Sequence, residues 1–272
     1  MTAQASGKLT PAMRQYRDMK QEIPEGTILL FRMGDFYELF FEDAKAAAPH
    51  MDVVLTQRGG VPMCGVPHHA LQTYVKRLLD NGVKVAIAEQ LEDPKQAKGL
   101  VKRGITRVIT PGTVLDDDAL QASRSNFLVC VCPGRRSIGV ALLDVSTGDF
   151  RATEVADPPA LEVELHRLQP AECLLPQSLH DQWQQQRQFP DAPAAMVWTP
   201  VEDWIAETEV AADTLCRHFE VAGLDGFGCR GLDNATRAAG AALHYTRNSL
   251  RRDADHVTTF RIYHTDDTMT LD

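Results

Sequence analysis

The residues best equipped for chemistry in this chain are an aromatic ring and a carboxylate two positions apart, Phe36 and Glu38. They lie within Met33-Gly34-Asp35-Phe36-Tyr37-Glu38-Leu39-Phe40-Phe41. A ring offers a flat face for stacking and a carboxylate accepts hydrogen bonds, so the two make a recognition pair. Gly34 marks a corner where the backbone turns or lies close to something. If residues 35 to 38 are extended, the period of two places Phe36 and Glu38 on one face, projecting together from a tip, with Tyr37 turned inward. The competing reading makes Asp35 an N-cap and Glu38 the N3 residue of a capping box, with Phe36 packed at a helix start. Residues alone leave both open.

Other candidate chemistry is thinner. Asp144 sits near the end of an expected strand, where a ribonuclease-H-like nuclease carries an acidic residue, but its Val-Ser-Thr-Gly continuation reads as a turn, with no evident second or third metal-binding carboxylate. His68 and His69 beside Cys64, and the same-face thiols of Cys130 and Cys132, lack a second ligand pair at metal spacing. The six cysteines (Cys64, Cys130, Cys132, Cys173, Cys216, Cys229) are read as buried free thiols. There is no P-loop, no Gly-x-Ser-x-Gly elbow and no His-Glu-x-x-His, so the chain is not expected to be an enzyme.

The elements that must position the pair follow from patterning. Thr10-Pro11 opens a helix to about Ile23 with Met13, Tyr16, Met19 and Ile23 on one side. Thr27 to Arg32 reads as a strand, and a helical stripe runs through Tyr37, Phe40, Phe41, Ala44 and Ala48. A strand from Val53 to Arg58, a Pro- and Gly-punctuated loop over 62–69, a helix from about Ala70 to Leu79 and strands at 83–88 and 104–110 complete an α/β region with a mixed sheet. Asp116-Asp117-Asp118 is read as a linker. Strands at 127–132, 137–144 and 149–155 are followed by a helix near 159–168, a strand at 173–175, a polar helix near 181–188 and a strand at 196–198. That is the order of a ribonuclease-H-like domain. Helices over about 201–220 and 234–250 follow.

At 272 residues two domains are expected, and 44% apolar with 24% charged residues is ordinary for a globular protein. No apolar run of 18 residues and no apolar segment near Met1 is present, which points to a cytoplasmic protein without a membrane partner. The net charge of −9 divides into +3 over residues 1–115 and −12 over 116–272, and every lysine lies at or before Lys102. Such asymmetry suggests a first domain facing an anion and a second that does not; solubility alone is the competing explanation.

Gly34-Asp35-Phe36-Tyr37-Glu38-Leu39-Phe40, Leu55-Thr56-Gln57-Arg58-Gly59, Pro62-Met63-Cys64-Gly65-Val66-Pro67-His68-His69, Glu89-Gln90 and Arg107-Val108-Ile109-Thr110-Pro111-Gly112-Thr113 stand in the order and spacing of the mismatch-recognition domain of the MutS family, which the chain resembles. Leu142-Leu143-Asp144-Val145-Ser146-Thr147-Gly148 and Gly223-Leu224-Asp225-Gly226-Phe227-Gly228 are similar to that family's connector. The resemblance implies a mismatch-recognition domain over 1–115, a linker at 116–126, a ribonuclease-H-like connector over 127–250, and at 251–272 the start of a core or lever region cut short at Asp272. It implies binding of mismatched or looped-out bases in double-stranded DNA, Phe36 stacking on the faulty base and Glu38 hydrogen-bonding it.

By the same resemblance Met33, Gly34, Thr56 and Arg58 flank the wedge, and Arg58 and Arg107 offer phosphate contacts. Lys76, Arg77, Lys84, Lys95, Lys98, Lys102 and Arg103 add positive charge, some of it plain surface. Two departures from the family pattern are the short Gly59-Gly60-Val61 link and Gln57, where relatives often carry Lys. The family further implies docking of MutL on the connector, a homodimer of the longer protein, a bacterial nucleoid-associated location, and ATP with Mg in an ATPase domain outside this chain; no cofactor is expected within it. Two rival functions remain: an adaptor inserting Phe36 into a protein pocket, and a degenerate nuclease using Asp144.

Overall fold

The computed structural model describes residues 9–93, 99–115, 126–251 and 254–265. The chain divides into two compact units at Thr110/Pro111. The expected linker at 116–126 lies, except for Asn126, outside the described residues.

The first unit opens with helix α1 (Pro11–Lys20), capped by Thr10 Oγ1 accepting from the Met13 N–H at 3.3 Å. The helix ends short of Ile23 because Pro24 disfavours helical backbone at the residue before it. Strand β1 (Ile28–Met33) turns through Gly34-Asp35 into β2 (Phe36–Phe40), with Met33 paired to Phe36 across a two-residue hairpin. Gly34 has φ +62° and Asp35 does not share the positive sign, the pattern of a II′ turn. The structure therefore takes the extended alternative, and neither a capping box at Asp35 nor a helical stripe through Tyr37 and Phe40 forms. Helix α2 (Phe41–Met51) starts one residue after β2.

Strand β3 is shorter than expected, Thr56–Arg58, because the Val53 N–H closes on Ala48 O at the end of α2. The stretch read as a loop is largely strand β4 (Val61–Pro67). Its prolines occupy the second and last positions, and Gly65 admits a close approach: a Cβ there would lie 3.2 Å from Tyr37 O and 3.6 Å from Glu38 Cγ. Helix α3 (Leu71–Asp80), β5 (Val85–Gln90) and β6 (Arg103–Ile109) complete a mixed sheet of order β3-β4-β2-β1-β5-β6, in which β1 and β5 run parallel and the other pairs antiparallel.

On one face, α1 packs Met13, Tyr16 and Met19 against Leu29, Phe31, Phe40, Ala86, Ala88 and Val108. On the other lie α2 and α3, with Cys64 Sγ 3.7 Å from Ala44 O. A buried carboxylate ties α1, β1 and α2 together: Asp43 accepts from the Tyr16 hydroxyl at 2.6 Å, Lys20 Nζ at 2.7 Å and the Leu29 N–H at 3.0 Å. Burial, then the neighbouring Asp43 charge, pushes the Tyr16 phenol well above its usual range.

In the second unit, β7 (Phe127–Pro133), β8 (Ile138–Asp144) and β9 (Asp149–Val155) form an antiparallel meander. Helix α4 (Pro158–Leu168) leads to β10 (Glu172–Pro176), and α5 (Gln177–Gln186) to β11 (Val197–Val201). β10 pairs parallel with β7, and β11 with β10. The single helix expected over 201–220 is instead a 3-10 turn, Asp203–Ala206, followed by α6 (Thr208–His218). Arg237 Nε donates to Ala206 O at 2.8 Å, occupying a carbonyl that a continuous helix would use internally. Helix α7 (Asp233–Leu250) and β12 (Arg261–Ile262) follow, giving the order β11-β10-β7-β8-β9-β12. This mixed sheet is the ribonuclease-H-like arrangement that the strand order implied.

Candidate nucleic-acid interface

Pleating decides which side chains of the first unit meet. Phe36, Glu38 and Phe40 point to the α1 face of β2, opposite Pro67, Gly65 and Met63 of β4 and, for the first two, Met33 and Phe31 of β1. Phe40 is covered by α1, whereas Phe36, at the hairpin tip, is 49% exposed. An aromatic ring this open on a rigid corner is an exception among the chain's ten phenylalanines, several of which pack in the cores. The tip is held from both sides. The His68 N–H donates to Asp35 O at 2.9 Å, and Arg32 Nε to Gly34 O at 2.5 Å.

Glu38 behaves differently from the expectation that it projects with Phe36. Only 7% of it is exposed, and its carboxylate is held by both terminal nitrogens of Arg58, at 2.5 and 2.8 Å. Arg58, paired with Val61 on the edge strand, reaches it across β4. A bidentate guanidinium is the natural partner for a carboxylate removed from water. Met33 adjoins the pair, its sulfur 4.0 Å from Arg58 Nη1. Thr56 is exposed on β3, its hydroxyl donating to Met63 O at 3.1 Å.

Arg107 is not brought to this group. A bulge between Ile87 and Ala88 pairs them with Arg107 and Ile105, so Thr106 is skipped and the alternation reverses. Arg103 and Ile105 therefore face the α1 side and Arg107 the opposite one. Arg103 is the residue that sequence reasoning undervalued: its guanidinium lies 4.7 Å over the Phe31 ring, beside Glu38 in the sheet, and Nε donates to Arg32 O at 2.6 Å. Desolvation lowers its pKa and the Glu38 charge raises it in part. Its parity with Ile105 was a usable signal; the bulge was not visible. On the reverse face Tyr37 donates to Glu89 beneath Arg32, and burial first, then that carboxylate, pushes its phenol up to about 12.

Asp144 is committed to a turn. Its Oδ1 accepts from the Ser146 N–H at 3.0 Å, the Ser146 hydroxyl at 2.6 Å and the Thr147 N–H at 3.3 Å. Among the described residues no group of three or more His, Cys, Asp or Glu is arranged to hold a metal, and no helix is long and apolar enough to cross a membrane. Cys130 and Cys132 share a face of β7 and are buried against α7.

Comparison with known proteins also divides the chain in two, with the first match running past Thr110. Residues 10–118 match the family model described as MutS domain I, and residues 126–258 the one described as MutS domain II. Similar curated proteins bear the name DNA mismatch repair protein MutS. That of Methanosarcina barkeri is 42% identical over 284 residues, covering 97% of this chain and 31% of the relative. Those of Desulfatibacillum aliphaticivorans and Solibacter usitatus are each 42% identical, covering 97% of this chain and 30% of the relative. The chain thus spans about 31% of the length of the relatives it matches.

Proposed function

The chain belongs to the MutS family, carrying its domains I and II, and on that premise we propose that the first unit senses mismatched or looped-out bases in double-stranded DNA. The single observation that carries this reading is the half-exposed Phe36 ring at the tip of a two-residue hairpin. A ring entering a base step from the minor groove must unstack it, at roughly a few kcal/mol, and the cost is least where pairing is already faulty. Discrimination then comes from the deformability of the duplex.

Glu38 lies on the same face of the strand, and its hydrogen bond to the displaced base adds a second criterion. A carboxylate near phosphates opposes binding of intact duplex, and a base moved out of the stack supplies a compensating donor. Arg58, Thr56, Met33 and Gly34 surround the wedge and make the flanking contacts. The second unit is the connector that relays to the ATPase of the longer protein, where ATP and Mg act, and that presents a surface to MutL. The longer protein works as a homodimer. The relatives' shared name and the two matched domains support the mismatch-recognition and connector roles.

The test is fluorescence anisotropy with a matched duplex and its single-dT-bulge counterpart at two salt concentrations. Preference for the bulge, lost in Phe36→Ala, is the expected result; equal binding of both duplexes by the unaltered chain overturns the reading.

A further inference from the structure

We propose that Arg58 is a latch on Glu38, closed on intact duplex and opened by a faulty one, and that this exchange sets the ratio between the two. The inference rests on the DNA-binding reading and goes beyond it in assigning Arg58 two alternative partners. The carboxylate of Glu38 is bound at both oxygens by Arg58, at 2.5 and 2.8 Å, and its side chain is 9% exposed. It is therefore unavailable to a base while the pair stands. Arg58 is 45% exposed at its side chain and sits on a three-residue edge strand, all of it exposed, so the guanidinium is the half of the pair that can move.

Two features make the exchange possible. A phosphate oxygen is the one competitor that matches the planar fork as well as a carboxylate does, so a backbone phosphate brought beside β3 can take Arg58 from Glu38. Arg103, fixed over Phe31 and to Arg32 O, stays beside Glu38 when Arg58 leaves, so the freed carboxylate keeps one neighbouring cation. On intact duplex no displaced base offers a donor to Glu38, and breaking the pair is uncompensated. On a bulge duplex both halves acquire new partners together.

Salt dependence reads the state of the latch. Each phosphate neutralised by a cation contributes about 0.9 to the slope of log affinity against log salt on B-DNA. The slope for the single-dT-bulge duplex should therefore exceed that for the matched duplex by about one unit. Arg58→Gln, which cannot neutralise a phosphate, should remove the difference by lowering the bulge slope. Glu38→Gln, which frees Arg58 on either duplex, should remove it by raising the matched slope and tightening matched binding several-fold. Arg58→Lys, a cation without the fork, should retain part of the difference.

Equal slopes for the two duplexes with bulge preference intact would overturn the latch while leaving the DNA reading in place. So would an Arg58→Gln effect equal on both duplexes. Absence of bulge preference in the unaltered chain would overturn both. Circular dichroism of each variant confirms that the sheet persists.

Discussion

Phe36 and Phe40 are the same residue on the same face of one strand, and they differ only in what covers them. Phe40 is 1% exposed, with its ring 5.3 Å from that of Tyr16, whereas Phe36 is 49% exposed. Truncating a fully buried phenylalanine costs about 3–5 kcal/mol, while removing an exposed side chain changes stability by about 0.5 kcal/mol or less. Phe40→Ala should therefore lower the urea midpoint sharply and Phe36→Ala hardly at all. A large loss of stability in Phe36→Ala would mean that the ring is part of the core and unavailable to a ligand. The position of Phe36 was legible in the sequence because a glycine corner and a period of two are local signals. The state of Glu38 was not, since its partner lies 20 residues away and is delivered by a hairpin that spacing does not reveal.

At the scale of elements, the misreadings concentrate where two periodicities overlap or where Pro and Gly have two meanings. Tyr37, Phe40, Phe41, Ala44 and Ala48 fit a helical stripe, yet the first two belong to β2 and the helix begins at Phe41. Propensity could not decide, and pairing on both sides of β2 did. Pro62, Gly65 and Pro67 looked like loop punctuation but sit in β4 at its edges and at the one point where a side chain would crowd Glu38. Gly65→Val should thus cost about 1–3 kcal/mol, because γ-carbons must displace either the Tyr37 carbonyl or the Glu38 side chain. Chemical denaturation checks this against Val66→Ala, a deletion on the opposite face. An unchanged or raised midpoint in Gly65→Val would show slack between β2 and β4. By contrast the meander of the second unit was readable almost to the residue, because β7 and β8 are buried apolar runs, β9 mixes buried apolar with half-buried polar positions, and Pro-Gly and Thr-Gly turns separate the three.

At the scale of the whole molecule, chain length pointed to two units, and the chain does divide into two, with a net charge of +3 over residues 1–115 and −12 beyond them. What composition did not carry is the structural loyalty of residues 111–115, which belong to the second unit. Thr113 and Val114 are buried, and Leu115 packs against the α7 core. The Gly112 N–H donates to Glu172 Oε2 at 3.0 Å, while Glu172 Oε1 accepts from the Thr199 hydroxyl at 2.6 Å and the Tyr245 hydroxyl at 2.9 Å. Asn126 Nδ2 also donates to Pro111 O at 2.8 Å. Glu172 is wholly buried, so removing one of its donors leaves a desolvated acceptor short of a partner, at about 1–3 kcal/mol, to which the lost burial of Val114 and Leu115 adds. A second unit beginning at Pro111 should therefore unfold cooperatively at a higher urea concentration than one beginning at Asp116, with the first unit, ending at Thr110, folded by itself in either case. Identical midpoints for the two versions of the second unit would mean that residues 111–115 are a tether, and that the acidic unit is stabilised by its sheet and helices alone.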